Sequence, residues 1–171
     1  MEWTKWLREI PDFPQPGILF RDVLPIMAHK DAWQEVLDGL EQRIKPLAPD
    51  AIMAPEARGF LIAAPLADRL KIGLVPVRKP GKLPAPILSE TYSLEYGENQ
   101  LEVERDSDLA GKRVVIVDDV LATGGTVAAT SRLAARLSAS VVGFAFLIEL
   151  AALGGRTRLD SNALVTSLLT L

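Results

Sequence analysis

One stretch of the sequence, Val114 to Thr126, constrains the fold more than any other. It reads VVIVDDVLATGGT and begins with β-branched residues, a pattern typical of a parallel strand that is buried on both faces. Asp118 and Asp119 follow at the carboxyl end of that strand, and a turn of small residues then opens a helix. A buried strand that passes through a glycine turn into a helix indicates an α/β domain.

The same alternation of strand and helix is predicted along most of the chain. Apolar residues at helical spacing from Trp33 to Ile44 predict a helix, with Asp31 as its N-terminal cap. The other predicted elements are strands over 51–54, 73–77, 113–117 and 141–148, and helices over about 58–70 and 125–137. Together they predict a single α/β domain over residues 1–171 with a mostly parallel sheet. Ligands bind beyond the carboxyl ends of the strands in such sheets.

The pattern breaks between residues 78 and 100, where Pro80, Gly81, Pro84 and Pro86 are followed by a polar stretch. This predicts a long irregular connection, and a connection of that length in a compact domain is usually functional. Residues 101–104 then alternate apolar and acidic side chains, which predicts an exposed strand. We expect the apolar segment at 164–171 to be an edge strand or part of an interface.

The chemistry of the turn at residues 122–126 favours a phosphate group. Gly124 and Gly125 permit backbone angles that let successive N–H groups point into one concavity, and the helix N-terminus adds partial positive charge. The hydroxyls of Thr123 and Thr126 can donate to phosphate oxygens. The two preceding carboxylates repel phosphate, but they suit ribose hydroxyls or a shared Mg²⁺. A sugar phosphate with free hydroxyls satisfies both halves of the motif.

Composition excludes several other classes of site. The chain has 19 basic and 22 acidic residues, and its net charge of −3 gives no indication of general nucleic-acid or membrane binding. It contains no cysteine and a single histidine, which excludes disulfides, thiolate metal sites and histidine-rich metal centres. No signal-peptide pattern and no membrane-spanning apolar stretch are present, so we expect a cytoplasmic protein. The glycine motifs of P-loop and dinucleotide-binding proteins are also absent.

The segment Val114–Thr126 resembles the phosphoribosyl-diphosphate fingerprint of the type I phosphoribosyltransferases. The resemblance implies that family's fold, a mostly parallel twisted sheet flanked by helices, with a mobile loop and a small N-terminal base-binding hood. It also implies that Asp118 and Asp119 hold the ribose hydroxyls, directly or through Mg²⁺. The 5′-phosphate would be bound by Ala122, Thr123, Gly124, Gly125 and Thr126.

Four further segments are similar to the adenine-specific members of that family, in the family's order: residues 13–22, 55–60, 77–84 and 90–97. The resemblance implies adenine binding by an N-terminal segment within residues 1–28, and diphosphate binding and a flexible catalytic loop within 78–100. Position 80 is Pro where the family pattern has a third basic residue. The implied roles are adenine binding by Leu19, Phe20, Arg21 and Leu150, diphosphate binding by Arg58, Arg78, Lys79 and Lys82, proton transfer by Glu95 and loop closure by Tyr96.

The implied reaction joins adenine to 5-phosphoribosyl 1-diphosphate and yields AMP and diphosphate. Mg²⁺ would enter with the substrate diphosphate, and the resemblance implies a homodimer. Two alternatives stay open at this point. One is the same chemistry on hypoxanthine, guanine or xanthine, because recognition through backbone groups leaves no side-chain signature. The other is a regulator that binds the sugar diphosphate without turnover, although such proteins usually carry a DNA-binding domain for which 171 residues leave no room.

Overall fold

The computed structural model describes residues 1–93 and 98–171. They form two compact units, Met1–Gly39 and Leu40–Leu171. The organisation as a single domain therefore stays a prediction, and each unit is described by itself below.

The larger unit is built on a five-stranded sheet in the order β4-β3-β7-β8-β9, and every neighbouring pair is parallel. Helices α3 and α4 contact the sheet. This confirms the predicted fold class. The elements are β3 (Ala51–Pro55), α3 (Arg58–Leu70), β4 (Gly73–Val77), β5 (Ile87–Ser93), β6 (Glu98–Glu104), β7 (Arg113–Leu121), α4 (Gly125–Arg136), β8 (Ser140–Glu149) and β9 (Leu164–Thr170), with 3₁₀ turns at Lys45–Leu47, Ala151–Leu153 and Gly155–Arg158.

The central strands are buried because their residues are apolar on both faces. Val114 to Val117 are inaccessible to solvent, as expected for a strand with neighbours on either side and helices over the sheet. The observed β7 continues to Leu121, four residues beyond the predicted end. Asp118 and Asp119 therefore lie within the last four residues of the strand. The C-terminal segment forms β9 at one edge of the sheet, which confirms the edge-strand alternative.

The prediction of an irregular connection over residues 78–100 is wrong in part. Strands β5 and β6 pair antiparallel over their full described length, from Ile87 opposite Glu104 to Ser93 opposite Glu98. The predicted exposed strand at 101–104 is the second half of β6, and it is mostly buried, including Glu102. The sequence pattern did not predict the hairpin, because the prolines that precede β5 favour irregular structure. The alternation of side chains along β5 has a clear meaning only once the strand is paired with β6.

The smaller unit contains β1 (Arg8–Pro11), β2 (Leu19–Asp22), α1 (Leu24–Ala28), most of α2 (Lys30–Ile44) and a 3₁₀ turn at Glu2–Trp6. Strands β1 and β2 form an antiparallel pair that places Ile10 opposite Phe20. Asp31 is not the cap of α2, because the helix already begins at Lys30 and Asp31 lies in its first turn. Across residues 1–93 and 98–171, no helix is both long enough and apolar enough to cross a membrane.

Candidate active site at the carboxyl ends of the strands

The two acidic residues of the fingerprint lie near the carboxyl end of β7. Asp119 is 3% exposed, and its carboxylate is ion-paired with the guanidinium of Arg58 at the start of α3. Asp118 Oδ1 accepts a hydrogen bond of 2.9 Å from the backbone N–H of Asp119. The ion pair joins a predicted ribose-binding acid to a predicted diphosphate-binding base, so the structure brings these two residues of the sequence prediction together.

Asp118 has an unusual electrostatic environment. Burial of its carboxyl, together with the adjacent charge of Asp119, raises its pKa well above the ordinary value, and Arg58 offsets this only in part. The helix α3 also approaches closely, since a Cβ placed on Gly59 would lie 3.0 Å from Asp118 Oδ1. An ionised Asp118 is therefore costly without a ligand, and it suits a ligand that donates hydrogen bonds or carries positive charge.

The predicted phosphate turn forms the N-terminus of α4. Gly124 is the residue before the helix and has φ +81°, a conformation that glycine adopts without strain. Among the described residues, no side chain caps the first N–H groups of the helix, so these donors remain available to a ligand. A concavity of about 70 Å³ lies here, lined by Asp118 and by residues 120–127. All five predicted phosphate-binding residues belong to that lining.

A second glycine, Gly155, packs closely against this turn, and the sequence patterns did not predict the contact. The 3₁₀ turn at Gly155–Arg158 packs against the phosphate turn so closely that a Cβ on Gly155 would overlap the carbonyl oxygen of Ala122. A Cβ on Gly124 would in turn lie 2.5 Å from the carbonyl oxygen of Gly155. The Gly154-Gly155 dipeptide was the available signal, but its contact is about thirty residues away in sequence.

Two of the predicted diphosphate-binding cations of the basic segment, Arg78 and Lys82, are ion-paired with Glu56, an acid for which the sequence predicted no role. Glu56 follows β3, its side chain is 5% exposed, and its carboxylate accepts from Arg78 Nε at 2.7 Å and from Lys82 Nζ at 3.0 Å. Burial acts to raise the pKa of Glu56, but the hydrogen bonds from Arg78 and Lys82 outweigh it and lower the pKa to about 2. Arg78 also lies over the ring of Phe60, 5.9 Å from its centroid.

A further contact fixes the backbone of this segment to the hairpin. Arg78 and Glu102 exchange backbone hydrogen bonds of 2.8 and 2.7 Å, and the buried carboxylate of Glu102 accepts from Gly81 N–H at 3.0 Å. Lys79 is exposed, and its ammonium makes no ion pair within the described part of the chain. Three of the four predicted diphosphate-binding cations are thus already oriented by carboxylates, and the ammonium of Lys79 has no carboxylate partner among the residues that the structure describes.

We expect Glu56→Gln to lower stability at neutral pH by about 3 kcal/mol, because it removes the buried anion that Arg78 and Lys82 bind. A lowered folded-state pKa contributes stability above the unfolded pKa of about 4.5, and this is lost as pH falls towards about 2. The stability difference between wild type and variant should therefore shrink by roughly half between pH 7 and pH 3. Urea unfolding at several pH values measures it, and a difference that stays constant would contradict this assignment.

The residues predicted to bind adenine lie on β2 and directly after β8. Leu19, Phe20 and Arg21 lie on β2, where the rings of Phe20 and Phe13 meet edge to face at 5.1 Å and Arg21 is ion-paired with Glu9. Leu150 directly follows β8, and its N–H donates to the carbonyl of Leu121 at the end of β7. Their role in adenine binding stays a prediction. The predicted catalytic Glu95 and the loop residue Tyr96 lie outside the described residues.

Comparison with known proteins gives this site its context. Residues 23–170 match the family model of the phosphoribosyl transferase domain. The chain is 51% identical over 166 residues to an adenine phosphoribosyltransferase of Synechococcus sp. (strain ATCC 27144), covering 97% of each chain. The crystal structure of adenine phosphoribosyltransferase from Thermoanaerobacter pseudethanolicus superposes with a TM-score of 0.96 at 49% identity, covering 99% of this chain and 98% of that one.

A third relative was solved with ligands. Adenine phosphoribosyltransferase from Saccharomyces cerevisiae, in complex with an imino-altritol bisphosphate and adenine, has a TM-score of 0.93 at 40% identity and covers 98% of this chain and 97% of its own. The matches extend over nearly the whole chain, and they agree with the phosphate turn, the paired acids and the parallel sheet described above. The chain therefore belongs to the phosphoribosyltransferase family, and within it to the adenine phosphoribosyltransferases.

Proposed function

We propose that the protein transfers the phosphoribosyl group of 5-phosphoribosyl 1-diphosphate to adenine and releases AMP and diphosphate. The observation that carries this proposal is the arrangement at the end of β7. There, Asp118 and Asp119 precede the uncapped N-terminus of α4 by a few residues. In the proposed complex the carboxylates accept hydrogen bonds from the ribose hydroxyls, and residues 122–126 bind the 5′-phosphate through N–H groups and threonine hydroxyls.

The leaving diphosphate requires positive charge, because the bond from the anomeric carbon to its oxygen breaks with the electron pair on that oxygen. Arg58, Arg78, Lys79 and Lys82 supply it in this proposal. Arg58 is anchored by Asp119, and Arg78 and Lys82 are anchored by Glu56, which reduces the side-chain entropy that is lost when diphosphate binds. Lys79 adds a cation that makes no ion pair within residues 1–93 and 98–171.

Adenine completes the displacement when its N9 bonds to the anomeric carbon and loses its proton. In this proposal Glu95 accepts that proton, as the family resemblance implies. The same resemblance assigns adenine binding to Leu19, Phe20, Arg21 and Leu150. The transition state has oxocarbenium character, as in glycoside hydrolysis, so water at the anomeric carbon would destroy the substrate. Closure of the part of the predicted catalytic loop that carries Glu95 and Tyr96 would exclude that water.

Magnesium fits the chemistry of the acidic pair. Asp118 is a carboxylate whose charge is only partly balanced, and oxygen ligands are those that Mg²⁺ prefers. The ion would enter with the substrate diphosphate and neutralise part of its charge, and Asp118 and Asp119 are the residues that would face it. A homodimeric state and a cytoplasmic location are further parts of the proposal, for which the family resemblance is the support.

Glu95→Gln should lower kcat by roughly a hundredfold or more and leave the KM for adenine nearly unchanged, because the amide cannot accept the N9 proton but keeps the size of the side chain. Steady-state kinetics with adenine as the varied substrate measures both constants. A normal kcat would mean that another group accepts the proton.

The activity itself is tested by incubating the protein with adenine, the sugar diphosphate and Mg²⁺ and following AMP by chromatography. We expect stoichiometric formation of AMP and diphosphate that stops when a chelator removes the metal. Calorimetric binding of the sugar diphosphate without any AMP would overturn the proposal and favour a non-catalytic binding protein.

A further inference from the structure

Tyr92 connects the β5–β6 hairpin to the predicted phosphate turn. Its hydroxyl lies 3.3 Å from Thr126 Oγ1, and a Cβ on Gly125 would lie 3.3 Å from Tyr92 Cδ2. The phenol ring therefore covers the first turn of α4 while its oxygen reaches a residue predicted to bind phosphate. The fingerprint of the family, as drawn from the sequence, gives this tyrosine no role.

The direction of this hydrogen bond decides what Thr126 can do. A threonine hydroxyl has one proton, and a phosphate oxygen that carries negative charge only accepts. Thr126 can bind the 5′-phosphate through its side chain only if it does not spend that proton on Tyr92. A tyrosine hydroxyl that donates to Thr126 Oγ1 meets this condition, because the threonine oxygen accepts at a lone pair and its proton stays available.

We propose that Tyr92 is a positioning residue for the 5′-phosphate of the substrate. Its phenol donates to Thr126 Oγ1 and turns the threonine proton towards the phosphate. This inference rests on the proposed function, because it takes the turn at residues 122–126 to be the 5′-phosphate site.

The hairpin is well fixed for such a role. Tyr92 is opposite Asn99 in the strand pairing, and the side chain of Glu90 accepts a 2.5 Å hydrogen bond from Arg132 Nε on α4. Arg136, one turn further along α4, donates to the carbonyl oxygen of Ser89. These contacts hold β5 on α4 independently of the tyrosine hydroxyl, so its removal should leave the hairpin in place. The hydroxyl and the ring can therefore be tested separately.

Tyr92→Phe is the decisive variant, because it keeps the ring over Gly125 and removes only the hydroxyl. We expect the Kd for AMP and the KM for the sugar diphosphate to rise roughly three- to tenfold. A change of this size corresponds to the loss of one hydrogen bond that orients a phosphate-binding hydroxyl. The KM for adenine and kcat should stay within about twofold. If Tyr92 served packing alone, Tyr92→Phe would not raise the KM for the sugar diphosphate while leaving the KM for adenine unchanged.

The coupling to Thr126 is tested by a double-mutant cycle with Thr126→Val, which removes the second hydroxyl at nearly constant shape. Tyr92→Phe should have no further effect on AMP binding in that background. Glu90→Gln serves as the control for a loosened hairpin, and its effect on the Kd for AMP should be smaller than that of Tyr92→Phe because it keeps the tyrosine hydroxyl. Unchanged AMP binding in Tyr92→Phe, additive effects in the double variant, or equal losses for adenine and AMP would each overturn the inference. A wild-type protein that forms no AMP would instead refute the proposed function.

Discussion

Asp118→Asn should make the unliganded protein more stable and at the same time reduce kcat/KM for the sugar diphosphate at least a hundredfold. The loss of activity follows because an amide can no longer accept from the ribose hydroxyls with a full charge or face a magnesium ion, and two charged hydrogen bonds are worth about 3 kcal/mol. Asparagine keeps an oxygen that can accept from Asp119 N–H, as Asp118 Oδ1 does at 2.9 Å. Loss of local structure is therefore not expected to explain the kinetic effect.

The gain in stability follows from the direction of the pKa shift. Burial and the charge of Asp119 raise the pKa of Asp118, so its favourable contribution is complete below the ordinary pKa of 3.8 and is lost as pH rises through the folded-state value. At neutral pH the raised pKa makes the buried carboxyl destabilise the fold, and the amide removes that cost. Each kcal/mol recovered raises Tm by about 2–4 °C in a chain of this size.

Thermal unfolding between pH 4 and pH 8 checks this result. The Tm difference between Asp118→Asn and wild type should grow with pH, and an excess of substrate should remove the advantage of the variant by stabilising wild type alone. A variant that is less stable than wild type at every pH would contradict the electrostatic account. Near-normal kcat/KM in both Asp118→Ala and Asp119→Ala would contradict the assignment of the acidic pair itself.

Gly155→Ala should disrupt the phosphate turn although it replaces no residue that is predicted to contact the substrate. The added methyl would overlap the carbonyl oxygen of Ala122 and lie 3.0 Å from Gly124 N, so the turn or the 3₁₀ segment must move. Overpacking of this kind costs about 1–3 kcal/mol. A shift of the turn away from the start of α4 should raise the KM for the sugar diphosphate at least tenfold.

The neighbouring glycine provides a matched control. Gly154 has φ +63°, so alanine there is strained by about 1 kcal/mol, but its Cβ would meet no atom within 4 Å. Gly154→Ala should therefore lower Tm with little change in the KM for the sugar diphosphate. If Gly154→Ala and Gly155→Ala change that KM by the same factor, close packing of Gly155 against the turn is not what positions the phosphate site.

The sequence was informative where local pattern and structure coincide. The run at 114–117 was predicted because parallel strands buried on both faces are continuously apolar, and the turn at Gly124 was predicted because only small residues allow its backbone. The Asp-Asp pair was recognisable because like charges at the end of a buried strand require a compensating ligand.

What the sequence did not reveal depends on contacts between distant segments. Glu56 and Glu102 read as ordinary surface acids, and their roles exist only because folding buries them beside the basic segment. Gly155 is important because of a carbonyl group over thirty residues earlier. The hairpin partner Tyr92 likewise gains its significance from Thr126, which follows it by 34 residues. The identity of the purine also left no side-chain signal, and the family resemblance supplied it.

The most direct test of the central claim is the initial rate of diphosphate release with each purine in turn, in the presence of the sugar diphosphate and Mg²⁺. A site that hydrogen-bonds the edge of adenine leaves polar groups unpaired against a base with a carbonyl in place of the amine, which costs several orders of magnitude in kcat/KM. We predict that adenine exceeds hypoxanthine, guanine and xanthine by at least a hundredfold. An equal or faster rate with any of these three bases, or no release with adenine, would contradict the account.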